Sequence, residues 1–421
     1  MSEPVLIRRA SLIDPVNAID GVYDLLLENG VVSRLSAEPS VLHAPQVIEG
    51  EGKWVFPGVI DLGAYVREQP RVATVASESA AAVSAGITRL CCMPEPSKLT
   101  DTVAGVNLIK EKAEQTGLAR FEVIGAMTAG LEGRQLSNMG GLKKSGCVAV
   151  SQGHQPFVNL DVMGKAMEYA QGCGLTMFMQ PLEYELIGKG CAHAGPMATR
   201  LGLPGIPIAA ETVAIHQILI LAGQTGASVH FCRLSSAAGV ELIRQAKAGG
   251  AAITADVAIH QLLLTEQDIQ DYDSLCYTLP PLRSEQDRDA LREAVRDGVI
   301  DAICSDHQPH DLDGKLAPFQ GALPGMSGLE SLLPLTMRLV EEGVFDEETA
   351  ISRLSADPAR IINKRCGQLS EGSVADLVIY DPDEEWEFYW QGMKSGGRNT
   401  PFSRTTFTGR VTPTMIGGVV A

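Results

Sequence analysis

The segment Ser305-Asp306-His307-Gln308-Pro309-His310 places one carboxylate and two imidazoles within a single short stretch. Those are donor types that divalent metals prefer. Two or three ligands from one loop make a weak site, so His307 and His310 are expected to serve structure. His230 sits inside an apolar run (Val229–Cys232), where a packed, hydrogen-bonded imidazole is the simpler expectation than a ligand. His216 and His260 lie in apolar helical contexts and are read the same way. Ser151 and Ser305 each follow an apolar run, but no adjacent histidine-plus-carboxylate arrangement supports a serine nucleophile. Cys91 and Cys92 are neighbours on one extended run, so at most one can face a shared interior. The acidic stretch Asp381–Glu387 is expected to be a solvated turn.

The elements that must hold these residues form a repeating pattern. Short apolar runs recur as GVID at 58–61, TRLCCM at 88–93, FEVIGA at 121–126 and CVAVS at 147–151. They continue as TMFM at 176–179, VHFC at 229–232, ITAD at 253–256 and DAICS at 301–305. Helical stretches such as Glu211–Ala222 and Ser284–Asp297 lie between them, the second with Ser284 as N-cap and Asp287 three residues on. Continuous apolar strands of this kind are buried on both faces of a parallel sheet. Eight such units in series predict a (β/α)8 barrel over 57–366, whose chemistry belongs at the strands' C-terminal ends. The flanks, 1–56 and 367–421, alternate apolar and polar residues around turns such as Asn29-Gly30 and Asp381-Pro382. They predict antiparallel strands joined into a small β-sandwich module built from both chain ends.

Composition limits the function. Fifty-one acidic against thirty-four basic side chains give a formal net charge of −17, which disfavours nucleic acid and anionic membranes as partners. No run is apolar for long enough to span a bilayer, and the N-terminus carries no secretory pattern. Nine scattered cysteines, none in CxxC spacing, fit a cytoplasmic chain without a disulfide framework.

Pro57-Gly58-Val59-Ile60-Asp61-Leu62 resembles the start of the barrel in cyclic amidohydrolases, the dihydroorotases in particular. The likeness continues through Gly86-Ile87-Thr88, Met93-Pro94, Pro280-Pro281-Leu282-Arg283-Ser284, Ser305-Asp306-His307 and Gly328-Leu329-Glu330. It extends to Pro358-Ala359-Arg360, Gly372–Leu377 and Thr400-Pro401-Phe402. The resemblance implies an amidohydrolase-type TIM barrel with metal ligands at the strand ends. At those positions this chain departs from the family. Gly63 and Tyr65 replace a His-x-His pair, Gln152 an aspartate or carboxylated lysine, Gln180 a histidine, and Arg233 the second histidine of His-x-x-His. Of these ligand positions only Asp306 is retained. Arg67 and His310 match residues that hold the substrate carboxylate, whereas Glu95 and Leu279 stand where the family has asparagines.

A catalytic divalent ion needs at least three good anionic or imidazole donors, and Arg233 would add a permanent positive charge. The expectation is therefore no metal, no cofactor and no catalytic residues. The resemblance supplies a further expectation, because some bacteria possess dihydroorotase-like chains without the ligands. Those chains associate with the catalytic chain of aspartate transcarbamoylase and support its assembly in pyrimidine biosynthesis. A hetero-oligomer with that chain, together with self-association, is the expected assembly. The alternatives are an active cyclic amidohydrolase with an unusual site and a small-molecule sensor that reuses the barrel cavity.

Overall fold

The computed structural model describes residues 3–38, 44–69, 72–96 and 100–421. The chain opens with β1 (Val5–Asp14), β2 (Ile19–Glu28), β3 (Val31–Ser36), β4 (Gln46–Glu49) and β5 (Trp54–Pro57). One residue separates β5 from β6 (Val59–Ala64), the first barrel strand. The barrel continues with β7 (Ile87–Cys92), β8 (Arg120–Ala126), β9 (Ala149–Ser151) and β10 (Thr176–Met179). A small parallel pair, β11 (Ala192–His193) and β12 (Gly205–Ile206), interrupts the series. The series then resumes with β13 (Val229–Phe231), β14 (Ile253–Ala258) and β15 (Ala302–Cys304).

The eight barrel strands are parallel and lie in sequence order from β6 to β15, with β11 and β12 apart. Each apolar run read from the sequence forms one of them. The ring is drawn together beyond the last strand: the His307 N–H donates to the Gly63 carbonyl at 3.0 Å, and the Tyr65 N–H donates to the His307 carbonyl at 2.9 Å. Side chains then divide by strand alternation. Ile60, Leu62, Cys91, Ile124, Phe178, Cys232 and Cys304 fill the interior. Cys92 belongs instead to the layer between strands and helices, so the adjacent cysteines do face opposite ways. Burial pushes the Cys92 thiol up to about 12 and Cys91 well above its usual value, which leaves neither as a thiolate.

The second sheet uses β1–β5 with β16 (Leu377–Phe388), β17 (Thr405–Ile416) and β18 (Val419–Val420). The expectation of antiparallel pairing holds for β1 with β2 and β2 with β3, but β1 pairs in parallel with both β4 and β5. Seven of the strands form one hydrogen-bonded path, with β4 branching from β1, and the sheet curls over its own core of Ile7, Leu12, Leu25, Leu27, Leu377 and Met415. Its two ends meet where the Ala375 N–H donates to the Gly30 carbonyl and the Gly418 N–H to the Ala375 carbonyl, both at 2.9 Å. The predicted turn at Asp381-Pro382 and the acidic turn over Asp381–Glu387 are corrected: both lie within β16. The register slips between Asp381, opposite Arg410, and Glu385, opposite Thr408. A bulge absorbs the proline there, because the extra residues need no ladder donor.

Candidate functional site at the barrel mouth

Gly63, Gln180, Arg233 and Asp306 converge where β6, β10, β13 and β15 end. Arg233 is the centre. Its side chain is fully buried, its Nε donates to Gln180 Oε1 at 3.1 Å, and the same nitrogen lies 3.5 Å from Asp306 Oδ1. Its backbone N–H donates to Oδ1 of Asp256, the buried acid in the middle of β14. A Cβ on Gly63 would stand 3.2 Å from Arg233 Nη1 and 3.5 Å from Cys304 Sγ. The absence of a side chain at 63 is what gives the guanidinium its space, so the two departures from the family pattern are one steric unit. Arg233 and Asp306 both hold a left-handed backbone, φ 55° and 45°, two residues beyond the ends of their strands. That conformation costs a non-glycine residue on the order of 1 kcal/mol or more, and such strain concentrates at specialised sites.

Several atoms around the guanidinium have no hydrogen-bond partner in the protein. They are Nη1 and Nη2 of Arg233, Nε2 of Gln180, Oδ1 of Asp306, the Tyr65 hydroxyl and both ring nitrogens of His154. Tyr65 stacks on His154 with ring centroids 5.3 Å apart and planes at 24°, and the Arg67 guanidinium lies 5.5 Å from the Tyr65 centroid. Arg67 pairs with buried Glu95 at 2.6 Å. Electrostatics follow from this burial. Desolvation raises Asp306 to about 7, despite the opposing Arg233 charge and a hydrogen bond from Gln308. Desolvation with the charges of Arg233 and Arg67 lowers His154 to about 3, so that imidazole stays neutral.

Other expected positions are turned elsewhere. Gln152 accepts from Thr128 Oγ1 at 3.0 Å and donates to the Leu131 carbonyl at 2.9 Å, binding the loop after β8. Leu279 is half-buried and precedes Pro280, whose carbonyl accepts from Gln261. His310 donates through Nε2 to the Pro324 carbonyl at 2.9 Å, and burial depresses it to about 4. His307 takes the Gly328 N–H on Nδ1 at 3.1 Å, so its proton is on Nε2 and is donated to Glu78 at 2.7 Å. His230 contacts Thr254 at 2.8 Å and Asp256 at 2.9 Å and packs on Phe178. These three histidines are satisfied structural groups, as the sequence suggests, whereas His216 is exposed on its helix and buried His260 keeps Nε2 without a partner, so the same expectation fails for those two.

Among the described residues, one set of three potential ligands comes together: His230, Cys232 and Asp256, all buried. The imidazole and the carboxylate spend their atoms on each other, on Thr254 and on the Arg233 backbone, and burial keeps the thiol protonated. This set does not fit a catalytic ion, which requires free donors and an open position. The mouth does not fit one either. Its donors are amides, a phenol, one carboxylate at Asp306 and the His154 imidazole, fewer than three good ligands, and a permanent cation stands among them. Sequence reasoning missed His154, Asp256, Tyr184 and Asp61. Asp61 takes the Ser305 N–H at 2.9 Å and the Ser305 hydroxyl, tying β6 to β15. Asp61 and Asp256 both lie on the predicted strand runs, where a buried acid among apolar residues is a readable signal.

Comparisons with known proteins agree with this architecture. A family described as dihydro-orotase-like matches residues 52–238, and one described as the amidohydrolase family matches 209–421. The chain is 42% identical over 419 residues to a "Dihydroorotase-like protein" of Pseudomonas putida, covering 98% of this chain and 97% of that one. It is 35% identical over 418 residues to a "Dihydroorotase" of Trichlorobacter lovleyi, covering 99% and 98%. Among solved structures, an L-hydantoinase (dihydropyrimidinase) from Arthrobacter aurescens superposes with a TM-score of 0.88 at 24% identity, covering 100% of this chain and 96% of that one. A D-hydantoinase from Thermus sp. gives 0.84 at 22%, covering 99% and 95%. No described helix is long and apolar enough to cross a membrane.

Proposed function

The chain belongs to the dihydroorotase-like amidohydrolases, and from that premise we propose that it is a member without chemistry of its own. In this reading it is a cytoplasmic, non-catalytic subunit. It binds the aspartate transcarbamoylase catalytic chain, and copies of itself, and supports their assembly in pyrimidine biosynthesis. The observation that carries the proposal is the buried Arg233 guanidinium between Gly63, Gln180 and Asp306. Cyclic-amide hydrolysis needs a water brought near neutrality by a metal, and this mouth offers neither the donors nor the charge balance to hold one.

The rest of the molecule argues against simple decay. The barrel interior is filled, Thr74, Thr102, Asn159 and Ser236 cap barrel helices, and the Pro-Pro-Leu-Arg-Ser segment still starts a helix through a complete capping box. A chain that keeps its packing while its reactive groups are gone supports a role through shape. A stable interface of standard size buries roughly 1,600 Å². A second reading, a small-molecule receptor, is favoured by the unpartnered donors around Arg233.

The test is to express the transcarbamoylase catalytic chain alone and together with this chain, then measure particle size and carbamoyl-aspartate formation. The expected result is a larger, more active assembly in the presence of this chain, unchanged by Asp306→Ala as long as that variant folds. Identical assembly and activity without this chain would overturn the subunit reading.

A further inference from the structure

The mouth takes up the C-terminal ends of the barrel strands. Away from it, a cavity of about 460 Å³ opens where the turn after β1 meets the helix Ala356–Ile361 and the segment beyond it. Arg360 also lines a second hollow with Thr254 and Asp301, which mark the N-terminal ends of β14 and β15, so this is the opposite face of the barrel. The volume lies in the range of small-molecule sites, roughly 300–1,000 Å³. Val16, Ala356 and Ala359 give the cavity an apolar wall, and Arg360, Lys364 and Arg365 give it a cationic one. No aspartate or glutamate stands among its described lining residues. The cations reach solvent: the side chains of Arg360 and Lys364 are 77% and 38% exposed, and Arg365 is exposed as well.

A local excess of positive charge stands out in a chain of net charge −17. The carboxylates behind the cavity are each shared between cations. Asp357 serves Arg360 through Oδ1, and Arg353 and Ser352 through Oδ2. Glu122 takes Lys364 on Oε2 at 2.9 Å and Arg89 on Oε1. Asp376 lies between Arg120, at 2.9 Å, and Arg89, at 3.7 Å. Asp301 is held by Lys247 at 2.6 Å. Arg365 has no ion-pair partner among the described residues. The pairs of Arg360 and Lys364 are exposed on the side of the cation, where such pairs contribute little and leave room for a second anion.

We propose that this cavity binds a small phosphate monoester, its phosphate on Arg365 with Arg360 and Lys364 and its body against Val16, Ala356 and Ala359. Three separate cations suit a group with three acceptor oxygens and a charge of about −1.5 to −2 better than a carboxylate with two oxygens and one charge. The apolar wall favours an ester with a body over the free inorganic ion. The acidity of the remaining chain keeps extended polyanions away, which leaves a small ligand. The site goes beyond the assembly role, which stands or falls on its own experiment.

The probes are adenosine monophosphate, phenyl phosphate and inorganic phosphate, with adenosine and sulfate as controls, titrated calorimetrically into the full chain at low salt. The two esters are expected to bind more tightly than inorganic phosphate, and adenosine monophosphate more tightly than adenosine or sulfate. Arg365→Gln, a change at an exposed and unpaired side chain, should weaken both esters roughly tenfold or more, the scale of one hydrogen bond to a charged group. Arg134→Gln makes the same change of charge at an exposed position on the loop after β8 and should leave both affinities as they were. Absence of ester binding to the wild-type chain overturns the proposal. So does binding that adenosine matches, binding that sulfate matches (an adventitious ion only), or a loss in Arg134→Gln equal to that in Arg365→Gln.

Discussion

The guanidinium of Arg233 and the carboxylate of Asp306 are buried together with too few partners for either. A buried pair of this kind is weak as a source of stability, yet removing one member strands the other. Desolvation holds Asp306 near 7, above its usual range, so its ionisation works against the fold. The folded state therefore retains the proton longer than the unfolded chain, and that contribution is lost as pH rises through about 7. Arg233→Met should raise Asp306 further. The variant is expected to lose roughly 3–5 kcal/mol at about pH 9 and clearly less at about pH 5, as denaturant melts at the two pH values would show. Equal losses at both would contradict the pairing. Gly63→His with Tyr65→His should not restore zinc binding while Arg233 remains, because any Cβ at 63 meets Nη1 at 3.2 Å. Zinc content measured on that double variant, with and without Arg233→His, checks it. The exchange of donors was legible from the sequence. His154 was not, because its stacking on Tyr65 joins loops that only barrel closure brings together.

Elements were legible where one physical signal dominates. Parallel strands buried on both faces leave unbroken apolar runs, and all eight were readable. Ser284 and Asp287 announced a helix start, and the structure adds a second role for the aspartate. Its Oδ2 serves Ser284 while its Oδ1 takes the Ala237 N–H at 2.9 Å, in the first turn of the preceding barrel helix, Ala237–Ala248. Removing a cap typically costs about 1 kcal/mol. Asp287→Ala, which loses contacts at two helix starts, should therefore cost more than Ser284→Ala, about 2 against about 1 kcal/mol. Equal losses in urea titrations would separate the two helices. What the sequence concealed was register. The slip between Asp381 and Glu385 leaves acidic residues and a proline inside β16, a composition that reads as a turn. The parallel pairing of β1 with β4 and β5 was hidden as well, because alternation reports which face is buried and not strand direction.

At the scale of the whole molecule the barrel and the sheet from both chain ends are coupled. β5 runs into β6 through a single residue, and Arg120 at the start of β8 pairs with Asp376, just before β16, at 2.9 Å. The fold thereby retains the frame that amidohydrolase chemistry uses, with strand ends gathered at one mouth. It places at that mouth a cation where the family resemblance implies a ligand. We propose that the frame serves assembly and that the mouth performs no ring chemistry. The measurement that bears on this most directly is the cyclisation of carbamoyl-aspartate to dihydroorotate by the purified chain in excess zinc. The expected rate is no different from that of buffer with zinc alone. Turnover above that background, abolished by Asp306→Asn in a variant that still folds, would contradict it.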